Sequence, residues 1–274
     1  MSEPAARPSP IQRALSSERG LVVAALAGLT LLSWLYLLSL AADMRAMPAA
    51  ACEAMGMGRA TALSAREVGL ELAMWSVMMV GMMLPSAAPT ILLVTSLQRR
   101  ALPRAAALRA TGAFALGYVL VWCGFSVLAT VAELGLQRAA LLSPMGVSAS
   151  PWLAGGLLVA AGLHQATPWK RRCLVQCRAP VGFVTRHWRP GAAGALRMGV
   201  VNGALCLGCC AALMALLFVG GVMNLLWIAA LTAFVAVEKL APQGARVARL
   251  AAPALVLAGV ALWMRAELVA ARAG

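Results

Sequence analysis

The chain has 274 residues, 62% of them apolar and only 12% charged, which excludes an ordinary soluble domain and points to a membrane protein. A formal net charge of +14 would suggest nucleic acid as a partner in a soluble chain. Here the positive residues sit in short connections between apolar stretches, the topogenic use of Lys and Arg, so the expected partner is the lipid bilayer and no nucleic acid.

A bilayer core about 30 Å thick takes about 20 apolar residues per spanning helix. Seven stretches read as spans, near 21–42, 69–95, 106–132, 152–168, 198–219, 222–240 and 250–264, the fourth being the shortest. The expected fold is therefore all-α, a polytopic membrane helix bundle of about seven transmembrane helices. Residues 1–20 form an N-terminal segment, 21–264 a single transmembrane domain and 265–274 a short tail, with no soluble domain left over. No small-residue cleavage site follows the first apolar run, so the first helix is expected to be retained.

Positive charge sets the orientation. Arg7, Arg13 and Arg19 precede span one; Arg99, Arg100, Arg104 and Arg109 follow span two; "KRRCLVQCRAPVGFVTRHWRPGAAGALR" follows span four; Lys239, Arg246 and Arg249 follow span six. All fall on one side, which predicts a cytoplasmic N-terminus and an external C-terminus in a bacterial cytoplasmic (inner) membrane. The opposite connections carry Arg45, Arg59, Arg66 and Arg138 among Asp43, Glu53, Glu67 and Glu133.

Sulfur is concentrated in four places. The external connection 43–66 holds Met44, Met47, Met55 and Met57 around Cys52. A thioether in a polar loop gains little from burial, yet it is a soft, neutral ligand suited to Cu(I). Span two carries "MWSVMMVGMM", in which helical periodicity aligns Glu71, Met74, Met78 and Met82 on one stripe, with Met79 and Met83 beside it. Glu71 stands at the mouth as a possible gate. Pro85 and Pro89 are expected to kink or open this helix near mid-depth. The competing reading of the stripe is packing, since Met is a common gap filler.

In the cytoplasmic connection 169–197, "KRRCLVQCR" places Cys173 and Cys177 four residues apart among Lys170, Arg171, Arg172 and Arg178. That surround is expected to lower the thiol pKa. His187 is at most a third donor and reads better as an interface residue. Span five carries "CLGCC", with Cys206 and Cys210 on one helix face and Cys209 one turn from Cys206. At about 1.5 Å per residue, Cys209 and Met82 fall at matching depths near the midplane. Spans five and six, joined by "GGVMN", are expected to form a touching hairpin. Cys123 reads as packing, Glu238 with Lys239 as an interface anchor, and His164 with Gln165 as a polar cluster facing either the bundle or the interface.

The segments "MWSVMMVGMMLPS", "TPWKRRCLVQCRAP", "HWRPGAAGALRMG", "CLGCCAALM" and "GVMNLLWIAALTAFVAVEKL" resemble a bacterial family of uncharacterised predicted metal-binding integral membrane proteins. The matching pieces cover most of residues 71–240. The chain departs from that pattern at Ala211, where Trp is expected, and at His164, where Tyr is expected. The resemblance implies metal binding and leaves the mechanism open.

Together the residues suggest a protein that binds and translocates or delivers a soft metal, with Cu(I) favoured over zinc. External methionines would capture the ion, Met74, Met78 and Met82 pass it inward, Cys206, Cys209 and Cys210 hold it, and Cys173 with Cys177 receive it. No P-loop is present, so primary pumping is not expected. Two histidines and nine acids give no hydrolase constellation, and enzymatic activity is not the favoured reading. One alternative is a membrane thiol oxidoreductase cycling Cys206 and Cys209, against which stands the lack of an evident cationic neighbour. The other is a noncatalytic assembly factor that hands metal to a recipient metalloenzyme, or exchanges it with a metallochaperone.

Overall fold

In the computed structural model, residues 18–46, 64–143 and 146–273 are described, and regular structure among them is helical. In chain order the helices are α1 (Glu18–Ala46), α2 (Ala65–Ala101), α3 (Arg104–Arg138), α4 (Pro151–Ala166), α5 (Pro168–Arg178), α6 (Pro180–His187), α7 (Gly191–Met214), the short α8 (Leu217–Gly220), α9 (Leu225–Leu240) and α10 (Gly244–Ala273). Their starts follow local sequence. Ser64 caps α2 in a reciprocal box with Glu67, Thr167 and Pro168 open α5, and the Asn224 side chain accepts the Trp227 N–H at the start of α9.

Five helical stretches are long and apolar enough to cross a membrane: Arg19–Asp43, Ala65–Ala101, Arg104–Arg138, Gly191–Gly220 and Gly244–Arg272. The fourth and sixth expected spans are helices of 16 residues, α4 and α9. At 1.5 Å per residue they reach about 24 Å, short of a bilayer core of about 30 Å. The basic connection after α4 is not a loop, since it folds into α5 and α6 before α7 begins. α10 runs from Gly244 past residue 264 to Ala273.

The core sits on α2, whose apolar window is the most buried of the five, while α1 and α10 lie outermost. α2 packs on α1 and α3, and α3 packs most extensively on α7. Small residues permit that last contact: a Cβ on Gly117 would strike the Leu196 carbonyl, and one on Gly199 the Phe114 carbonyl. α4 pairs with α10, and α5 lies on α7.

Three expectations are corrected here. α7 and α9 meet only slightly, because α8 and a turn through Gly221 at φ 97° direct α9 toward α2 and α10 instead. α2 continues as helix through Pro85 and Pro89, with Ser86 Oγ donating to the Met83 carbonyl at 2.8 Å. Glu133 belongs to no connection: it lies within α3, is buried, and accepts a 2.6 Å hydrogen bond from Trp75 Nε1.

Candidate metal centre

Cys206, Cys209 and Cys210 fall on the buried face of α7. The Cys206 carbonyl accepts from both later thiols, from Cys209 Sγ at 3.1 Å and from Cys210 Sγ at 2.8 Å, which draws the three sulfurs to one level. Cys206 and Cys210 stand 3.9 Å apart at sulfur, and Cys209 and Cys210 3.4 Å. Two sulfurs each about 2.3 Å from one ion, at tetrahedral to trigonal angles, are about 3.8 to 4.0 Å apart, so the Cys206 and Cys210 pair has the separation of a shared soft ion. Among the described residues no set of three or more His, Cys, Asp or Glu side chains is arranged to hold a metal, so the geometry offers a pair of thiols and not a closed cage.

Polar groups converge on this pair from other helices. Lys239 Nζ on α9 donates to Cys206 Sγ at 2.8 Å and to Ser86 Oγ on α2 at 3.1 Å. The Tyr118 hydroxyl on α3 stands 3.0 Å from Cys206 Sγ and donates to the Met83 carbonyl at 3.1 Å. The expected absence of a cation beside these cysteines is thus overturned. An ammonium against sulfur is the setting that ligating and reactive thiols require.

Glu238 and Lys239 are not an interface anchor. Both are buried, and consecutive positions on α9 point them to different partners. Glu238 accepts from Lys170 Nζ at 2.7 Å and 3.0 Å and from Gln165 Nε2 at 2.8 Å. Its own backbone carbonyl accepts from Arg178. Gln165 therefore faces the bundle. The Lys170 and Glu238 pair is 1% and 2% exposed, so it fixes α5 against α9 with charges that water does not screen.

α5 brings Cys177 to the centre. With Ser86, Ala87, Thr90, Tyr118, Asn202, Cys206 and Lys239 it lines a cavity of about 10 Å³, the room of roughly one water-sized sphere. Cys177 is half-buried and interacts with the Cys209 thiol. Cys173, one turn earlier, is buried against Gly208, where a Cβ would come within 2.9 Å of its sulfur. Burial pushes the Cys173 thiol up from its ordinary value, so the expected lowering by neighbouring arginines is reversed at this residue. Arg171 and Arg172 lie exposed.

The other expected sites stand apart. Met74, Met78 and Met82 are at most 3% exposed and belong to the apolar core, with Met79 and Met83 beside them. Glu71 interacts with Glu133, which makes it a member of a carboxyl pair with Trp75 at the opposite end of α2 from the basic residues. His187 stacks on Phe183 and its Nδ1 bonds the Phe183 carbonyl at 3.0 Å, and Cys123 is half-buried. Met44 falls in the last turn of α1, while Met47, Cys52, Met55 and Met57 lie outside the described residues.

Lys239, Tyr118, Ser86 and Asn202 were not singled out as site residues by sequence reasoning. The available signal was Lys239 itself, an ionisable residue at the end of an otherwise apolar helix, which by default marks a site.

A pair of thiols is a donor set suited to soft metals. The family comparison agrees: a family model described as "PpoB2: Copper chaperone" matches residues 72–262. The chain belongs to the PpoB2 copper chaperone family. The match runs from the start of the methionine stripe through α2, α3 and α7 into α10 and includes every residue of the centre. No curated protein and no solved structure matches the chain.

Proposed function

We propose that this protein holds one Cu(I) ion on Cys206 and Cys210 and delivers it through Cys177 to a recipient protein. The observation that carries the reading is the shared cavity in which Cys177, from α5, faces Cys206, from α7. Cu(I) favours soft thiolate ligands and low coordination numbers, so ligand exchange from a buried pair to a half-exposed third thiol passes the ion without releasing it to water. Cys209, next to both Cys210 and Cys177, stands on that route.

Delivery fits better than conduction. The cavity takes about one small ion, and the thioethers of α2 are packed in the core without lining it. In a membrane, α4 and α9, short of the bilayer core as they are, would complete seven crossings beside the five long helices by local thinning of the bilayer, with the basic α5 and α6 at the cytoplasmic face of a bacterial inner membrane. Copper would then leave on the cytoplasmic side. The Met74, Met78 and Met82 stripe would then serve as structural support, with the ion reaching and leaving the centre from the same side.

The test is X-ray absorption at the copper edge on detergent-purified full chain loaded with Cu(I), followed by transfer to an apo acceptor. The expected result is one copper with a sulfur-only first shell. Cys177→Ser should keep that copper and slow its transfer. Metal-free protein with a reducible Cys206 to Cys209 disulfide would overturn the proposal in favour of a thiol oxidoreductase, the alternative that Lys239 beside Cys206 makes chemically reasonable.

A further inference from the structure

Lys239 raises a question of charge that the copper reading alone does not answer. Its ammonium is 6% exposed and bonds only Cys206 Sγ and Ser86 Oγ among the groups described. The nearby carboxylate is committed elsewhere, because Glu238 carries the ammonium of Lys170 and those two charges cancel. Tyr118, Ser86, Ala87, Thr90, Asn202 and the Cys177 thiol, which complete the lining, bring no fixed charge. The half-buried Arg178 is spent on backbone carbonyls of Glu238 and Pro242, and it is not among the cavity's lining residues. The centre therefore carries one fixed positive charge in a place where an unbalanced charge is expensive.

We infer that Lys239 is the counter-charge that makes this site selective for a monovalent ion. The inference rests on the copper reading above. Metal-bound cysteines are thiolates. Two thiolates, one Cu(I) and the Lys239 ammonium sum to zero, whereas the same pair with Zn(II) leaves a net charge of +1 in the interior. The residue thus discriminates by valence, which sulfur softness does not do, because zinc also takes thiolate readily. A third thiolate would reverse the preference, since Zn(II) with three would be neutral and Cu(I) with three would be −1. Among the described residues the geometry supplies two sulfurs at a shared-ion distance and no set of three arranged to hold a metal.

The test measures affinities of the full chain in detergent for Cu(I), Ag(I) and Zn(II) by chelator competition, for wild type, Lys239→Met, Lys239→Gln and Lys239→Arg. The neutral variants are expected to lose affinity for both monovalent ions by at least about a hundredfold, with Zn(II) unchanged or tighter. Lys239→Arg, which keeps the charge, is expected to keep the preference for Cu(I) and Ag(I). Weakening of all three ions together would mean a structural role only and would overturn the inference, as would no change in any. Should neither neutral variant fold, the wild type decides alone: two sulfurs on copper by X-ray absorption sustain the inference, and three refute it. If wild type takes up no Cu(I), the copper reading falls; if it binds Cu(I) with a selectivity indifferent to Lys239, only the counter-charge falls.

Discussion

The methionine stripe of α2 and the cysteine cluster of α7 are alike in the sequence: each places sulfur at helical spacing in an apolar stretch. The structure separates them by their surroundings. Met74, Met78 and Met82 are buried in the apolar core, and none of them lines the cavity beside Cys206. The cysteines meet a lysine, a tyrosine hydroxyl and a further thiol from three other helices. Periodicity along one helix says which residues share a face, and only the opposite faces say whether that face is a site.

The comparison is most easily broken at the ion pair that holds α5 in place. Glu238→Ala leaves Lys170 buried without its partner and should cost about 3–5 kcal/mol in unfolding measurements. Replacing both residues, as Lys170→Met with Glu238→Leu, should recover much of that loss, and a double variant as unstable as the single one would contradict the assignment. On the methionine side, each of Met74→Leu, Met78→Leu and Met82→Leu should cost less than about 1.5 kcal/mol, because the exchange nearly conserves volume. None should change the copper content.

Smaller effects sharpen the same contrast. Tyr118→Phe removes one hydroxyl that serves the Met83 carbonyl and the Cys206 sulfur, and should cost about 1 kcal/mol while weakening copper retention. Alkylation followed by mass spectrometry should label Cys177 before Cys173. Cys177 is half-buried, whereas Cys173 is buried and its thiol is raised, so thiolate is scarce there until the pH exceeds the ordinary cysteine range. By the same sign, Cys173 favours the folded state below that range, and its contribution falls as pH rises through it. Equal labelling of the two at neutral pH would show that α5 does not stay seated on α7.

Much of the fold was legible because lipid-compatible helices announce themselves by length and apolar content. The five long helices and the all-helical class follow from that rule, and one capping box, two further side-chain caps and prolines set where several helices begin. The two 16-residue helices did not follow, since an apolar window near the threshold does not reveal where its helix stops. The cysteine cluster was visible as a spacing. Its partners were not, because Tyr118, Ser86 and Lys239 reach it across sequence separations that only the tertiary arrangement closes. Glu238 and Lys239 were misread for a related reason: adjacent opposite charges at a helix end look like an interface anchor, yet each here answers a different buried partner. Cys173 shows the same lesson locally, as it is buried while the arginines next to it in sequence are exposed, and burial sets its thiol.

The central claim is that copper is held by the cysteines of α7 and not by the methionines of α2. The most direct measurement is copper stoichiometry after Cu(I) loading and desalting, compared between a Cys206→Ser, Cys209→Ser, Cys210→Ser variant and a Met74→Leu, Met78→Leu, Met82→Leu variant. The cysteine variant is expected to retain almost no copper, while the methionine variant retains as much as wild type. Copper kept by the cysteine variant and lost from the methionine variant would contradict the central claim.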